Sequence, residues 1–334
     1  MLFRRKKIIL SVLILLIIGL GIWFLTFAKI YDKKDLSYGV TFSLKEASDL
    51  GLDWKNLYIE ILDDLKVKKI RLPVYWDLTE PERNIYDWED IDWQIREAQK
   101  RNVQIILVLG ERVPRWPECH RPDWAESLDK NERQKELLSF INSAVEYFKD
   151  RKNIFAWQVE NEPFLKYFGE CDELDIEFFD REIALVKKLD SRPIIITDSG
   201  ELSMWVPAAS RADIFGTSMY KRTYSQHFKT YINYPITPAF FRAKKNVISI
   251  FAHPQDWIVI ELQAEPWCKV PFQSTSVKER SQTMDVEKFK EMLEFSSQTG
   301  FREFYLWGVE WWYWEKATQG NGEYWEIAKT LFGK

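Results

Sequence analysis

The chain has 334 residues, 46% of them apolar, which is enough for one large core or for two smaller domains. Acidic and basic residues are interspersed and the net charge is only −4, so the composition argues against a nucleic-acid partner. The three histidines are scattered and no Cys-x-x-Cys occurs, so we expect neither a metal site nor a cofactor.

The first segment of the chain is a basic tip followed by a long apolar run. Residues 4–7 read Arg-Arg-Lys-Lys, and residues 8–28 are uncharged and mainly apolar. At about 1.5 Å per residue this run is long enough to cross a bilayer, whereas the apolar region of a cleavable signal peptide has roughly 7–15 residues. We therefore expect residues 1–30 to form one transmembrane signal anchor in a cell membrane, with residues 31–334 outside the cytoplasm. If the segment is cleaved, the protein is secreted.

Eight short apolar runs follow the anchor and alternate with helical patterns. The predicted strands are residues 38–43, 68–74, 103–109, 154–160, 193–197, 214–220, 257–263 and 303–309. Several are continuously apolar, as in a sheet covered on both faces. This alternation predicts an α/β fold, a single (β/α)8 TIM barrel over residues 31–334. A doubly wound open sheet is the alternative, and it is weakened because no Gly-rich phosphate turn follows any strand.

Two connections of the predicted barrel differ from the others in length. The segment between strands five and six is short, so we expect its helix to be abbreviated. The segment between strands six and seven is long and begins with YKRTYSQHFKTYINYPITPAFF, before any helical pattern. We expect this second segment to be an ordered active-site loop.

Polar and aromatic side chains stand at the predicted strand ends. In a (β/α)8 barrel the chemistry lies at the C-terminal ends of the strands. The side chains expected there are Arg71 from strand two, Asn161 and Glu162 from strand four, Tyr220 from strand six, Glu261 from strand seven with Glu265 and Trp267 just beyond it, and Trp307 from strand eight.

Glu162 and Glu261 are placed roughly across the barrel mouth from each other. Paired carboxyl groups are the usual equipment for glycoside hydrolysis, in which one donates a proton and the other attacks the anomeric carbon or activates water. Arg71 would keep Glu261 ionised, and Tyr220 would donate a hydrogen bond to it. Each feature also has a structural interpretation, since Asn161-Glu162-Pro163 resembles a helix start and Glu261 could pair with Arg71 for stability alone.

The remaining candidates have substrate-binding roles. The Asn161 amide would hold a sugar hydroxyl, and Trp307 would form a floor under a sugar ring, although a tryptophan is more often core. Glu265 and Trp267, in the loop beyond strand seven, are placed to contact substrate. We therefore expect an oligosaccharide or polysaccharide as the partner of this site.

Several of these stretches resemble the clan A glycoside hydrolases, a superfamily of retaining (β/α)8 barrels. KIRLPVYW resembles the strand-two arginine segment of family 5, EPERNIYDWEDID resembles the segment after strand two in family 42, and Asn161-Glu162-Pro163 and IVIELQAEPW match the two catalytic strands in position. The resemblance implies a glycosidase that cleaves a β-linked glycan, with Glu162 as acid/base and Glu261 as nucleophile. Many family 5 members read Thr/Ser-Glu-aromatic-Gly at the nucleophile, whereas Glu261 is followed by Leu262 and Gln263, so Glu265 is a rival nucleophile.

Two other functions use the same residues, and one covalent feature follows from the layout. A transglycosylase that remodels an envelope polysaccharide would need the same two glutamates, and a non-catalytic barrel would only bind glycan. Cys119 and Cys171 lie in consecutive loops that follow strands, and an oxidising compartment permits a disulfide between them. We expect this disulfide with Cys268 free; the alternative is three reduced thiols.

Overall fold

A closed barrel of eight parallel strands forms the centre of the molecule in a computed structural model, which describes residues 11–21, 23, 32–166 and 168–332. The barrel strands are β1 (Ser37–Thr41), β2 (Lys69–Pro73), β3 (Gln104–Leu109), β4 (Ile154–Val159), β5 (Ile194–Asp198), β6 (Ile214–Met219), β7 (Asp256–Gln263) and β8 (Glu303–Trp307). The last strand closes the barrel on the first, with Ser37 opposite Glu303 and Thr41 opposite Trp307. The predicted (β/α)8 barrel is confirmed, and every strand lies within two residues of its predicted bounds.

Helices cover the outside of the barrel. The principal ones are α1 (Trp54–Asp63), α2 (Glu89–Lys100), α3 (Lys130–Phe148), α4 (Ile176–Leu189), α5 (Val206–Ala209), α6 (Pro238–Ile248), α7 (Val286–Ser297) and α8 (Glu323–Phe332). Additional helices span Leu44–Asp49, Trp76–Thr79, Asp123–Glu126, Val277–Thr283 and Val309–Thr318, and 3-10 turns span Lys33–Asp35 and Phe272–Ser274. Aspartate side chains accept the first free N–H groups of four outer helices, which defines where these helices begin: Asp53, Asp129, Asp175 and Asp285.

Most apolar residues of the strands fill two separate regions, while Val108 packs with Tyr75 and Val113. One cluster lies inside the barrel and consists of Ile106, Ala156, Ile195, Ile258, Ile260 and Tyr305. The larger cluster joins the opposite faces of the strands to the helices and includes Ile105, Leu107, Ile141, Phe148 and Val186. Side chains of successive strand residues point to opposite faces, so one continuous apolar strand supplies both regions.

The structure agrees with the prediction for the connection between β5 and β6, and it adds to the prediction for the connection between β6 and β7. Between β5 and β6 the helix α5 has only four residues, as expected. Between β6 and β7 the chain forms an antiparallel hairpin of Arg222–Ser225 and Thr230–Asn233, followed by the full helix α6. The long segment is therefore ordered, but it contains regular structure that the sequence did not indicate. The helix α6 begins at Pro238, whose fixed φ and missing N–H suit a first helical position.

The predicted anchor lies mainly outside the described residues. Within residues 1–30, the structure describes residues 11–21, which are helical, and residue 23. Among the residues that the structure describes, no helix combines the length and the apolar character needed to cross a membrane. The anchor over residues 1–30 and the domain boundary at residue 31 remain predictions.

The predicted disulfide between Cys119 and Cys171 is present. The sulfur atoms are 2.05 Å apart and Cys268 is a free thiol. The bond joins the loop after β3 to the loop after β4, and both loops lie at the C-terminal end of the barrel. It therefore links two segments that border the predicted site.

Candidate active site

Arg71 lies at the centre of the polar network inside the barrel mouth. Its side chain is fully buried, and each nitrogen of its guanidinium donates a hydrogen bond. Nε donates to Gln158 Oε1 at 2.8 Å, Nη1 donates to Glu261 Oε1 at 2.7 Å, and Nη2 donates to Asn161 Oδ1 at 2.6 Å. The planar guanidinium thus fixes groups from β4 and β7 relative to β2.

Both carboxyl oxygens of Glu261 accept hydrogen bonds from buried side chains. Arg71 donates to one of its oxygens, and the hydroxyl of Tyr220 donates to the other at 3.0 Å. Burial, followed by the charge of Glu261, raises the pKa of Tyr220 well above its ordinary value, so this phenol keeps the proton that it donates. A buried cation and a buried hydroxyl donor both stabilise the charged form of the carboxyl group between them.

Glu162 has the opposite environment. Its carboxyl group is buried, and Oε1 has no hydrogen-bond partner among the described residues. Burial raises the pKa of Glu162 well above its ordinary value, and the charge of Glu261 raises it further, while a hydrogen bond with Ser218 opposes the shift. The effect of Glu261 also means that the two carboxyl groups are close enough to interact through charge. Burial and the charge of Glu261 both favour the protonated form of Glu162, and one of its oxygens is free to meet a ligand.

The backbone at Glu162 is held in an unusual conformation. Its φ of 44° lies in the left-handed region that side-chain-bearing residues seldom adopt. The N–H of Glu162 donates to Thr197 Oγ1 at 2.8 Å, which ties the end of β4 to β5. Such strain costs about 1–3 kcal/mol and persists where the surrounding structure enforces it, commonly at functional sites.

Asn161 connects Arg71 to a third buried carboxyl group that the sequence analysis did not select. Its Oδ1 accepts from Arg71 and its Nδ2 donates to Glu118 Oε2 at 3.0 Å, which determines the orientation of the amide. Burial raises the pKa of Glu118 to about 7; the Arg112 cation opposes this shift and the Glu261 charge adds to it. Glu118 from the loop after β3, Glu162 from the end of β4 and Glu261 from β7 therefore interact through charge.

Glu265 and Trp307 form a second network beside the first. Arg115 donates to both oxygens of Glu265, at 2.5 and 3.2 Å, and to Glu310 Oε2 at 2.7 Å. Trp307 Nε1 donates to Glu265 Oε1 at 2.7 Å, and the Arg115 guanidinium lies 4.3 Å from the centre of the Trp307 ring. Both oxygens of Glu265 thus accept hydrogen bonds from Arg115, and Oε1 also accepts one from Trp307.

Glu160 anchors the start of the loop after β3. Its carboxylate accepts the N–H groups of Glu111 and Arg112, at 2.9 and 2.6 Å. Gly110, with φ of 129°, leaves room for this contact, because a Cβ there would lie 2.4 Å from Glu160 Oε1. Burial, followed by the charge of Glu111, raises the pKa of Glu160 to about 7.

The loop after β3 (residues 110–122) supplies the site residues that sequence reasoning missed, namely Arg112, Arg115 and Glu118. Arg115 and Glu118 have φ values of 87° and 74°, which turn their side chains inward on a tight loop. The signal available in the sequence was the density of charged residues around Pro114 and Pro117 directly after a buried strand.

All eight residues predicted from the sequence lie at the C-terminal end of the barrel. Arg71, Asn161, Tyr220 and Glu261 share one hydrogen-bond network, and Glu265 and Trp307 share another. Trp267 packs edge-on against Tyr220, with ring centres 5.1 Å apart. Within the part of the chain that the structure describes, no group of three or more His, Cys, Asp or Glu side chains is arranged to hold a metal ion.

Comparison with known proteins relates the chain to glycoside hydrolases through structure alone. No protein-family model matches the sequence, and no curated protein matches it. An endo-beta-1,4-xylanase of glycoside hydrolase family 10 from Gloeophyllum trabeum is 14% identical, with a TM-score of 0.57 over 89% of this chain and 96% of that chain. Xylanase 10B from Thermotoga maritima is 16% identical, with a TM-score of 0.54 over 90% of this chain and 95% of that one.

A third solved structure belongs to a protein with a different activity. The exo-beta-1,4-mannosidase of an Opitutaceae bacterium is 12% identical, with a TM-score of 0.54 over 89% of this chain and 60% of that one. At these sequence identities the similarity shows a shared fold and not a shared activity. The three solved structures cover 89–90% of this chain with TM-scores of 0.54–0.57. The chain therefore has the (β/α)8-barrel fold of these glycoside hydrolases.

Proposed function

We propose that the protein is a retaining glycoside hydrolase that cleaves a β-linked oligosaccharide or polysaccharide by double displacement. The observation that carries the proposal is the contrast between two neighbouring glutamates. Glu261 is held between a cation and a phenol that favour its charge, whereas Glu162 is buried with a free oxygen and a raised pKa. Two carboxyl groups in opposite environments are what an acid and a nucleophile require.

In this mechanism Glu162 gives its proton to the oxygen of the departing sugar while Glu261 attacks the anomeric carbon. A covalent glycosyl ester forms on Glu261 as the glycosidic bond breaks. Glu162, now ionised, takes a proton from water, and the water oxygen displaces Glu261 from the anomeric carbon. Arg71 and Tyr220 hold Glu261 in the orientation for attack.

The neighbouring groups have substrate-binding roles in this proposal. The Asn161 amide hydrogen-bonds a sugar hydroxyl beside the cleaved bond, and Trp267 and Trp307 lie against sugar rings. Glu265, which Arg115 holds in place, accepts a hydrogen bond from a sugar hydroxyl at the edge of the site. The β linkage is supported by the Gloeophyllum trabeum xylanase and the Opitutaceae mannosidase of the same fold, whose names specify beta-1,4 bonds.

We also propose that residues 1–30 anchor the protein in a cell membrane, with residues 31–334 as a catalytic domain outside the cytoplasm. The basic tip and the apolar run support this topology. The disulfide supports it independently, because disulfides persist in oxidising compartments. Extraction of the full chain by detergent but not by high salt, together with cleavage by protease added outside intact cells, is the expected result.

The test of the activity is turnover of activated aryl β-glycosides and of natural β-linked glycans by the wild type and by glutamine variants. Glu162→Gln and Glu261→Gln are each expected to lose at least about 10²-fold in kcat with natural glycans, since each removes a reacting group. Glu287→Gln, at an exposed position on α7, is the matched control and keeps wild-type rates. Wild-type rates in either site variant would reject that residue's role.

Stereochemistry and chemical rescue separate the two roles. The first sugar released by the wild type is expected to keep the β configuration, as followed by proton NMR. Azide is expected to restore turnover to Glu261→Ala and to yield the α-glycosyl azide, because it attacks the face that the carboxylate occupied. Release of the α-sugar would indicate a single displacement, and binding of glycan without any turnover would indicate a non-catalytic barrel.

A further inference from the structure

A chain of three hydrogen bonds leads from the loop after β3 to the carboxylate of Glu261. Asn161 Nδ2 donates to Glu118 Oε2 at 3.0 Å, and Asn161 Oδ1 accepts from Arg71 Nη2 at 2.6 Å. Arg71 Nη1 in turn donates to Glu261 Oε1 at 2.7 Å. Glu118 ends this chain and is 3% exposed. A carboxylate binds an amide N–H more strongly than a neutral acceptor does, so this contact constrains Asn161.

The loop after β3 fixes the position of Glu118 independently of Asn161. The N–H of Glu118 donates to the carbonyl of Arg115 at 2.8 Å, and its carbonyl accepts the N–H of Val113 at 2.8 Å. Gly169, with φ of 84°, lets the loop after β4 pack against this side chain, because a Cβ there would lie 2.7 Å from Glu118 Cβ. Glu118 is therefore a fixed acceptor against which the Asn161 amide is held.

The amide of Asn161 has only one orientation that satisfies its neighbours. Besides Arg71, its Oδ1 faces Gln158 Nε2 at 3.3 Å and the hydroxyl of Thr197 at 3.4 Å, so three donors surround the oxygen. A flipped amide would place N–H groups against the Arg71 guanidinium, which cannot accept a hydrogen bond. Glu118 accepts one of the two N–H groups of Nδ2, and the described residues offer the other no acceptor.

Glu118 also acts on the reacting pair through its charge. Burial and the charge of Glu261 are the larger causes of the raised pKa of Glu162, and the charge of Glu118 adds to them. The charged groups that act on Glu118 in turn are Arg112 from its own loop, Glu261 from β7 and Arg71 from β2. Loss of the Glu118 charge would therefore lower the pKa of Glu162, an effect separate from its hydrogen bond.

We propose that Glu118 is a positioning residue of the candidate active site, which holds the Asn161 amide so that its second N–H binds an oxygen atom of the sugar. This inference rests on the proposed function, because the amide has a sugar to bind only if Glu162 and Glu261 act on one. The stretches of sequence that resemble known glycosidases do not include residue 118, so the resemblance assigns no role to it. Glu118 does not touch the reacting atoms and acts through Asn161.

Two substitutions separate the hydrogen bond of Glu118 from its charge. Glu118→Asp keeps a carboxyl group but is shorter, so it no longer reaches Asn161 Nδ2. We expect its kcat/KM for a phenyl β-glycoside, whose leaving group needs the proton of Glu162, to fall about 10-fold with the pH profile unchanged, as for the loss of one hydrogen bond. Glu118→Gln keeps an acceptor oxygen and removes the charge, so we expect kcat/KM at low pH within about 3-fold of the wild type. Its fall in kcat/KM at high pH is expected to begin at a lower pH, because the pKa of Glu162 is lower without the charge.

Glu173→Gln is the matched control. Glu173 is an exposed carboxylate in the loop after β4, and its substitution removes the same charge from a side chain that the network does not include. We expect it to keep the wild-type kcat/KM and pH profile. Asn161→Ala is the second reference, because Glu118→Asp is expected to cause no further loss in that background. Urea denaturation of each variant checks that it is folded.

The outcomes separate the inference from the function on which it rests. Wild-type kcat/KM in Glu118→Asp, or the same loss from it with and without the Asn161 amide, would overturn the positioning role while leaving the glycosidase intact. A roughly 10-fold loss in Glu118→Gln at low pH would overturn it as well, even if Glu118→Asp does not fold, because an uncharged acceptor would then not suffice. Absence of turnover and of glycan binding in the wild type would instead reject the proposed function itself.

Discussion

Removal of the Arg71 guanidinium is expected to destabilise the protein chiefly through Glu261. Arg71 is fully buried and its Nη1 lies 2.7 Å from Glu261 Oε1, so Arg71→Met leaves a carboxylate inside the barrel without its cation. Breaking a buried ion pair by removal of one partner costs about 3–5 kcal/mol. We expect a loss of this size in the free energy of unfolding at pH 7, measured by urea denaturation followed through tryptophan fluorescence.

A double-mutant cycle isolates the contribution of the pair. Glu261→Gln keeps an acceptor oxygen but removes the charge, so Arg71→Met is expected to cost at least about 1.5 kcal/mol less in that background. Arg211→Met is the control, because Arg211 pairs with Asp180 at the surface, where an ion pair contributes about 1 kcal/mol or less. Equal losses from Arg71→Met in both backgrounds, within about 0.5 kcal/mol, would refute the argument that Arg71 stabilises the charge of Glu261.

Three further predictions concern protons and the disulfide. The kcat/KM of the wild type is expected to fall as pH rises through the raised pKa of Glu162, because only the protonated acid reacts. Glu162→Gln is expected to lose this fall in kcat/KM at high pH. If the fall is unchanged in the variant, it belongs to another group. The double substitution Cys119→Ser and Cys171→Ser is expected to lower the free energy of unfolding by about 4 kcal/mol, because the disulfide closes a loop of 52 residues and so restricts the unfolded chain. Urea titration of the variant beside the wild type measures this difference, and no loss would contradict the prediction. Burial raises the pKa of Glu160 from 4.5 to about 7 in the folded state, so its contribution to stability is present below pH 4.5 and is lost as pH rises through about 7. The free energy of unfolding is therefore expected to fall over this range, and to fall less in Glu160→Gln; equal slopes in urea titrations would exclude Glu160 as the cause.

The site residues at strand ends could be predicted from the sequence because buried strands have a recognisable apolar pattern. Each of Glu162 and Glu261 follows or ends a buried apolar run, and a carboxyl group there is costly unless it is paired or used. Arg71 lies within the apolar run of β2 in the same way. The parallel arrangement of the barrel then brings the ends of all such strands to one rim, so position along the chain was enough to predict their assembly.

The site residues in the loop after β3 could not be predicted from the sequence, because this loop has no such pattern. Arg115 and Trp116 are neighbours in sequence, yet Arg115 is buried against Glu265 and Trp116 is largely exposed. That difference depends on the φ of 87° at Arg115 and on contacts with distant strands, and no periodicity in the sequence encodes either. Glu118 was missed because its role depends on Asn161, which lies 43 positions away in sequence.

The hairpin between β6 and β7 was missed because its turn contains neither glycine nor proline. Residues 226–229 read Gln-His-Phe-Lys, which is not a strong hairpin signal. Its base is instead fixed by Gln263 at the end of β7, whose Oε1 accepts the N–H groups of Lys221 and Arg222 at 2.9 and 3.1 Å. A tertiary contact therefore determines local structure that the sequence of the segment does not specify.

The Cys119–Cys171 bond has a practical consequence for the choice of expression host. Protein made in a reducing cytoplasm would lack this cross-link, although the barrel strands and Arg71 do not depend on it. Such a preparation is expected to unfold at lower urea concentration, and its loops after β3 and β4 would be untethered beside the candidate site. Production in the periplasm or in an oxidising strain should therefore precede any substrate screen.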